Sequence, residues 1–212
     1  MRIRRLTLAT GNLEGQAAFY GARLGLPMGR DGDDAIEVRL RDSTIRFERA
    51  EGGLDARYHF AISVPGDSIR AAVAWLQERH EVLDFDGDPV RSDVGAGCVY
   101  FLDAAGNVVE LIASPGIAPA GDEAFGPSSL TEIAEIGIAT TDVAATSAAV
   151  EAAFGEGVYW KDDESGLIAV GDRHAVVIVA PVGRGWIPVD LTATPLPTEI
   201  VASDEARFLT SP

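Results

Sequence analysis

Cysteine, lysine and histidine are nearly absent from this chain of 212 residues. The single Cys98 excludes an intramolecular disulfide framework and any metal cluster built on several thiolates. Lys161 is the one lysine beside 16 arginines, and only His59, His80 and His174 offer imidazoles. Positive charge is scarce altogether: 17 basic against 33 acidic residues give a formal charge of −16. That balance argues against nucleic acid or an anionic membrane surface as a partner, because both are held by basic patches. No apolar run approaches the roughly 18 residues of a membrane helix. The opening MRIRRLTLATGNLEG passes from basic residues into a short alternating stretch, without the apolar centre of a signal peptide. A cytoplasmic protein is the expectation. There is also no phosphate loop, dinucleotide fingerprint or Ser-His-Asp order.

What the chain does have is core-forming material. It is 47% hydrophobic with a mean hydropathy of +0.11, which fits one to two folded domains. The acidity is uneven: residues 1–114 carry 13 basic and 18 acidic groups, residues 115–212 only 4 and 15.

An internal repeat organises the sequence. IRRLTLAT alternates as a strand, Asn12 is a candidate cap, and LEGQAAFYGARLG places Leu13, Ala17, Tyr20 and Leu24 at helical spacing before Gly25. LPMGRD, DAIEVRLRD and STIRFERAEGG follow as strand-like runs between Asp/Gly turns. The same order recurs in YHFAISV, a helix SIRAAVAWLQERH capped by Asp67, EVLDFDG, GCVYFLD and NVVELIAS. A third copy runs through AEIGIATTD, helix VAATSAAVEAAFG, VYWKD, GLIAVGD and HAVVIVAP, and a final TEIVAS could open a fourth. The Gly/Pro/Ser-rich segment 115–130 reads as a linker between copies two and three.

The stretch YFLDAAGNVVELIAS (100–114) turns on Asp103–Asn107 and returns with Glu110 among Val108, Val109, Leu111 and Ile112. A carboxylate in so apolar a strand needs a partner, since an unpaired buried charge costs several kcal/mol or takes up a proton. Strand alternation gives two faces. Leu6/Leu8, Ile45/Phe47, Phe60/Ile62/Val64 and Val109/Leu111 suit cover by helices; Arg5/Thr7/Ala9, Thr44/Arg46/Glu48, His59/Ala61/Ser63 and Val108/Glu110/Ile112 form the other face.

The β-α-β-β-β repeat, Phe19-Tyr20 with Leu24–Pro27 at the first helix exit, and the FLDAAGNVVEL ending resemble the vicinal oxygen chelate superfamily of glyoxalases, bleomycin-resistance proteins and extradiol dioxygenases. The resemblance implies an α+β fold in which paired βαβββ modules form a curved, mostly antiparallel sheet, with helices on the convex face and the site in the concave one. It implies a complete domain over 1–114, the linker 115–130, and a half-domain over 131–212 made of a third module plus a final strand. It also implies metal ligands on the first and last strands of each module. His59 and Glu110 match two of these positions. Arg5 occupies the usual first-strand position, and Arg46 or Glu48 the last strand of module one.

Two readings follow. His59, Glu110 and Glu48 could hold a divalent ion such as Zn, Mn, Fe or Ni, as in a metal-dependent lyase or dioxygenase. Alternatively Arg5 or Arg46 neutralises Glu110 and Glu48 through forked hydrogen bonds. The fixed charge of Arg5 favours the ion pair, so the expectation is a degenerate metal site with no cofactor. Such a protein binds a small organic, possibly anionic, molecule over Arg5, Thr7, Arg46, Glu48, His59, Ser63, Tyr100 and Glu110. The third module offers Glu135, Val177 and Val179 and looks apolar. Its apparent lack of a partner module predicts a homodimer formed through 131–212. His80 reads as a cation at the negative end of a helix, His174 as a surface residue, Trp75 and Trp186 as packing aromatics, and DFDGD (84–88) as a solvated turn.

Overall fold

A computed structural model describes residues 1–84, 87–92, 97–114 and 124–211. The linker residues 115–123 and Phe85-Asp86 of the DFDGD turn lie outside the described residues.

Module one is β1 (Ile3–Thr10), α1 (Leu13–Ala17) running into a π-helical turn (Ala18–Arg23), β2 (Met28–Asp31), β3 (Ala35–Arg39) and β4 (Thr44–Arg49). The expected cap is in place: Asn12 Oδ1 accepts from the Gly15 amide at 3.1 Å. Module two comprises β5 (His59–Pro65), α2 (Ile69–Gln77), β6 (Gly97–Leu102) and β7 (Val108–Ser114). Among the described residues of its EVLDFDG segment no strand forms, and Leu83 makes one isolated bridge to Tyr100. Ser68, not Asp67, is the residue that precedes α2. Module three is β8 (Ile133–Thr140), α3 (Val143–Phe154), β9 (Val158–Asp162), β10 (Leu167–Gly171) and β11 (Val176–Pro181). A small hairpin, β12 (Gly185–Trp186) with β13 (Leu191–Thr192), precedes β14 (Thr198–Ala202) and β15 (Arg207–Thr210).

These elements make a mixed α+β fold around one large sheet of 13 strands among the described residues. Within each module the first and last strands run parallel: β1 with β4, β5 with β7, β8 with β11. The other pairings are antiparallel. The helices cover one face. Leu6, Leu8, Ile45, Phe47, Phe60, Ile62, Val109 and Leu111 are all fully buried against them, as alternation predicts. Tyr20 stacks on Phe47 at 5.5 Å and meets Phe19 edge-on at 5.2 Å. Burial of each such side chain contributes about 1.5–3 kcal/mol.

The pairing of modules differs from the expected one. β5 joins β8 antiparallel, with Phe60 opposite Ile136 and Ala61 opposite Glu135. β1 joins β14, with Leu6 opposite Ile200 and Thr7 opposite Glu199. Module two therefore closes on module three, while module one closes on the two-strand remnant at the C-terminus, and both pairings cross the expected boundary between 1–114 and 131–212. The physical reason is edge satisfaction. β8 is mostly apolar, Glu135 aside, and covers its edge with β5, and the TEIVA strand does the same for β1. This pairing removes the unpartnered third module on which the homodimer expectation rested.

Candidate metal centre

The β5–β8 junction sets one row of residues across the sheet. Tyr100 lies opposite Glu110, Glu110 beside Ala61, Ala61 opposite Glu135, and Glu135 beside Val176. Ala61 has no side chain beyond Cβ, so the two glutamates approach each other over it. His59 stands two residues along β5, on the same face. Its Nε2 lies 3.8 Å from Glu110 Oε2 and 4.0 Å from Glu135 Oε2. One donor atom from each of the three lies within 4.8 Å of the others.

The protonation of this group is set by its surroundings. His59 Nδ1 faces the Val108 carbonyl oxygen at 3.2 Å. The ring therefore carries its proton on Nδ1 and leaves the Nε2 lone pair aimed at the carboxylates. Burial, aided by the charge of Arg184, holds the imidazole down at about 4, so it is neutral near pH 7. Burial pushes Glu110 up to about 7, against hydrogen bonds from Cys98 and Tyr100 and the charge of Arg91. Glu135 is raised as well, by burial and by Glu110 nearby. Two carboxylates that resist ionising together, beside a neutral imidazole, make a site short of positive charge.

The cavity above them has a volume of about 550 Å³. Trp186 forms one wall: its ring lies 5.2 Å from that of His59 and covers Gly137, where a Cβ would meet ring atoms at 2.6 and 2.7 Å. Trp160 and Tyr159 of β9 and Arg184 before β12 line the opening.

The expected site residues divide between two places. His59, Tyr100 and Glu110 come together here, while Ser63 is buried beside Ile112 and its Oγ has no hydrogen-bond partner. Arg5, Thr7, Arg46 and Glu48 lie on the other half-sheet, where each has a partner. Arg5 Nη2 reaches Glu199 at 3.4 Å, and Thr7 Oγ1 donates to the same carboxylate at 3.0 Å. Arg46 contacts Asp31 at 2.9 Å and Glu48 at 2.7 Å. The expectation that Glu110 faces Arg5 or Arg46 is corrected by this separation, and Glu48 gives way to Glu135 as the third carboxylate. The third module's face is corrected too. Val176 and Ile178 share the side of Glu135, whereas Val177 and Val179 join the helix-side core, a parity shift of one residue. Glu135 had a signal in the repeat itself, since HFAISV aligned on EIGIAT places it level with His59.

His80, read from the sequence as a cation at a helix end, is a packing residue, with Nε2 donating to the Leu102 carbonyl at 2.7 Å and its ring against Phe19. His174 sits at the cavity rim, 3.6 Å from Glu132.

No protein-family model and no curated protein sequence matches this chain. Solved structures do. A protein from Bacillus subtilis subsp. subtilis str. 168, provisionally described as a dioxygenase, superposes over 99% of this chain and 84% of its own, with a TM-score of 0.64 and 15% identity. The chain has the vicinal oxygen chelate fold. Glyoxalase I from Zea mays shares this fold over 85% of the chain and 66% of its own length, with a TM-score of 0.55 and 14% identity. The chain thus spans about two thirds of the maize protein, and at these identities the likeness concerns the fold. His59 lies on the first strand of module two, Glu110 on its last, and Glu135 on the first strand of module three. Among the described residues no helix is long and apolar enough to cross a membrane.

Proposed function

We propose that this protein is a metal-dependent enzyme of the vicinal oxygen chelate type, a lyase or dioxygenase acting on a small oxygen-rich molecule. The observation that carries this reading is the convergence of His59 Nε2, Glu110 and Glu135 on the cavity floor. The donor set fits a divalent ion: one neutral imidazole nitrogen and two carboxylates, with no arginine or lysine among them. Hydrogen bonding of Nδ1 to a backbone carbonyl is the usual outer-shell support for a ligand histidine. A bound divalent ion would supply Lewis acidity toward adjacent oxygens of the substrate.

The chain's own residues supply the rest. Glu110 and Glu135 give the charge that retains a cation where their ionisation is otherwise resisted. Cys98 and Tyr100 donate toward Glu110 and hold it in place. Tyr100 remains a proton donor, because burial and the neighbouring Glu110 raise its pKa far above neutrality. Trp186 packs against His59 and covers the floor, and the cavity's size is that of a small-molecule site.

Metal analysis of the purified protein tests this. Near-stoichiometric Zn, Mn, Fe or Ni, lost in His59→Ala, is the expected result. A protein that neither retains nor takes up any of these ions overturns the reading in favour of a metal-free binding protein.

A further inference from the structure

Arg184 lines this cavity, is more buried than the exposed Arg173 beside it, and is left unused by the reading above. It stands at the start of the β12–β13 hairpin, which folds over the sheet face carrying His59, Glu110 and Glu135. Its guanidinium carbon lies 5.4 Å from the centre of the Trp186 ring. One of its five N–H groups is committed, Nη1 to the Gly185 carbonyl oxygen at 2.9 Å. Among the described residues no carboxylate comes within ion-pair distance of it. Asp162, the nearest acidic influence, already accepts from the Glu164 amide and the Ser165 hydroxyl.

That arrangement sets it apart from Arg5, Arg46 and Arg79, which are also half-buried and each hold a carboxylate. The chain has 33 acidic side chains and 17 basic ones, so partners for an arginine are abundant. Arg2, Arg5, Arg30, Arg46, Arg49, Arg57 and Arg70 all have one. Arg184 is half-buried and lacks one, and burial alone depresses its pKa. Its charge also reaches the cavity floor, where it helps keep His59 neutral. A guanidinium fixed by stacking on an indole, with its forked edge free, is shaped to accept a carboxylate in two parallel hydrogen bonds.

We infer that Arg184 is the specificity-determining residue of this site and anchors the carboxylate of a planar, singly anionic acid whose adjacent oxygens lie toward His59, Glu110 and Glu135. Planarity follows from the wall made by Trp186, whose ring lies 5.2 Å from that of His59. A local cation also resolves the long-range problem, since a protein of charge −16 otherwise repels an acid approaching it. This inference rests on the metal reading for the position of the oxygens, but not for the role of Arg184.

Two probes of the same shape separate these claims: 3,4-dihydroxybenzoate and its neutral amide, 3,4-dihydroxybenzamide. Binding to the full chain is measured by calorimetry and by tryptophan fluorescence. The benzoate should bind roughly tenfold or more tightly than the amide, the scale of one charge-assisted contact. In Arg184→Gln the two should bind within about twofold of each other, and Arg184→Lys, which keeps the charge, should retain a clear preference. His59→Ala should weaken both probes equally and leave the preference intact. If His59→Ala changes neither affinity while Arg184→Gln still abolishes the preference, the metal reading fails and the anchor stands. Equal affinities in the wild type, a preference unchanged in Arg184→Gln, loss of preference in Arg184→Lys, or no binding of the benzoate at millimolar concentration each overturns the inference.

Discussion

His59 and Val108 are lateral neighbours on β5 and β7, and the imidazole Nδ1 of one lies 3.2 Å from the carbonyl oxygen of the other. This contact fixes the tautomer and leaves the Nε2 lone pair free between Glu110 and Glu135. Glu135→Gln should therefore weaken metal binding by more than the roughly 10- to 100-fold typical of losing an outer-shell partner. Glu48→Gln should leave it unchanged, because Glu48 is engaged with Arg46 on the other half-sheet. Titration of chelator-treated protein with Zn or Mn distinguishes the two; equal losses would restore Glu48 to the site.

The metal-free protein should respond to pH through Glu110. Its folded pKa, raised to about 7, exceeds the ordinary value of 4.5. A raised carboxyl binds protons more readily folded than unfolded, so its stabilising contribution is full below about 4.5 and is lost as pH rises through 7. The full difference is on the order of 3 kcal/mol. His59 works in the opposite sense below its ordinary value of 6.5, because its folded pKa is depressed. Between pH 8 and 6.5 the glutamates dominate, so thermal stability after chelation should increase as pH falls through that window. Glu110→Gln should flatten the trend; an identical slope in both proteins rejects the assignment.

Gly137 tests the wall of the cavity. A Cβ there would lie 2.6 Å from Cη2 of Trp186. Gly137→Ala should displace the indole, destabilise the protein by about 1–3 kcal/mol as overpacking does, and shift the tryptophan emission. Unchanged emission and melting temperature would mean that Trp186 does not rest on this strand.

Asp103 holds the β6–β7 turn to the first helix. Its Oδ2 accepts from Gln16 at 2.7 Å, Tyr20 at 2.9 Å and Asn107 at 2.8 Å, while Oδ1 accepts from the amides of Ala105 and Asn107. Asp103→Ala strands several buried donors and should cost about 3 kcal/mol or more; Tyr20→Phe should cost about 1 kcal/mol. Denaturant unfolding gives both numbers, and a larger loss for Tyr20→Phe would contradict this ranking.

Arg5 and Glu110 should show no coupling. The double-mutant cycle Arg5→Leu with Glu110→Leu is expected to be additive within about 0.5 kcal/mol. The cycle with Glu199→Leu should show at most about 1 kcal/mol, since that pair is part-exposed. Coupling of Arg5 to Glu110 would mean that the two half-sheets communicate.

Much of this molecule was legible in its residues. Period-two alternation in IRRLTLAT, YHFAISV and NVVELIAS assigned the helix-covered face correctly, because a strand buried on one side cannot slip by one residue without exposing its core set. The FLDAAGN turn was equally plain, and Gly106 takes the left-handed conformation it requires, at φ 79°. HAVVIVAP was harder, since apolar residues on both faces carry no parity signal, and Val177 and Val179 were placed on the wrong side.

The sequence by itself determined the modules, their faces and the residue types on the site-bearing side, because those depend on contacts a few residues apart. It also marked His59 and Glu110. Which modules pair was decided only by the tertiary structure, since antiparallel edges of similar apolar strands are nearly interchangeable in sequence. The competition between β5 joining β8 and β5 joining β1 turns on the closure of whole edges. That choice separated Glu110 from Arg5 and Arg46, brought Glu135 across Ala61 instead, and set the β12–β13 hairpin with Arg184 over the result. A carboxylate's partner lies on the strand its sheet recruits, and strand recruitment is a property of the assembled edges, which no local pattern encodes.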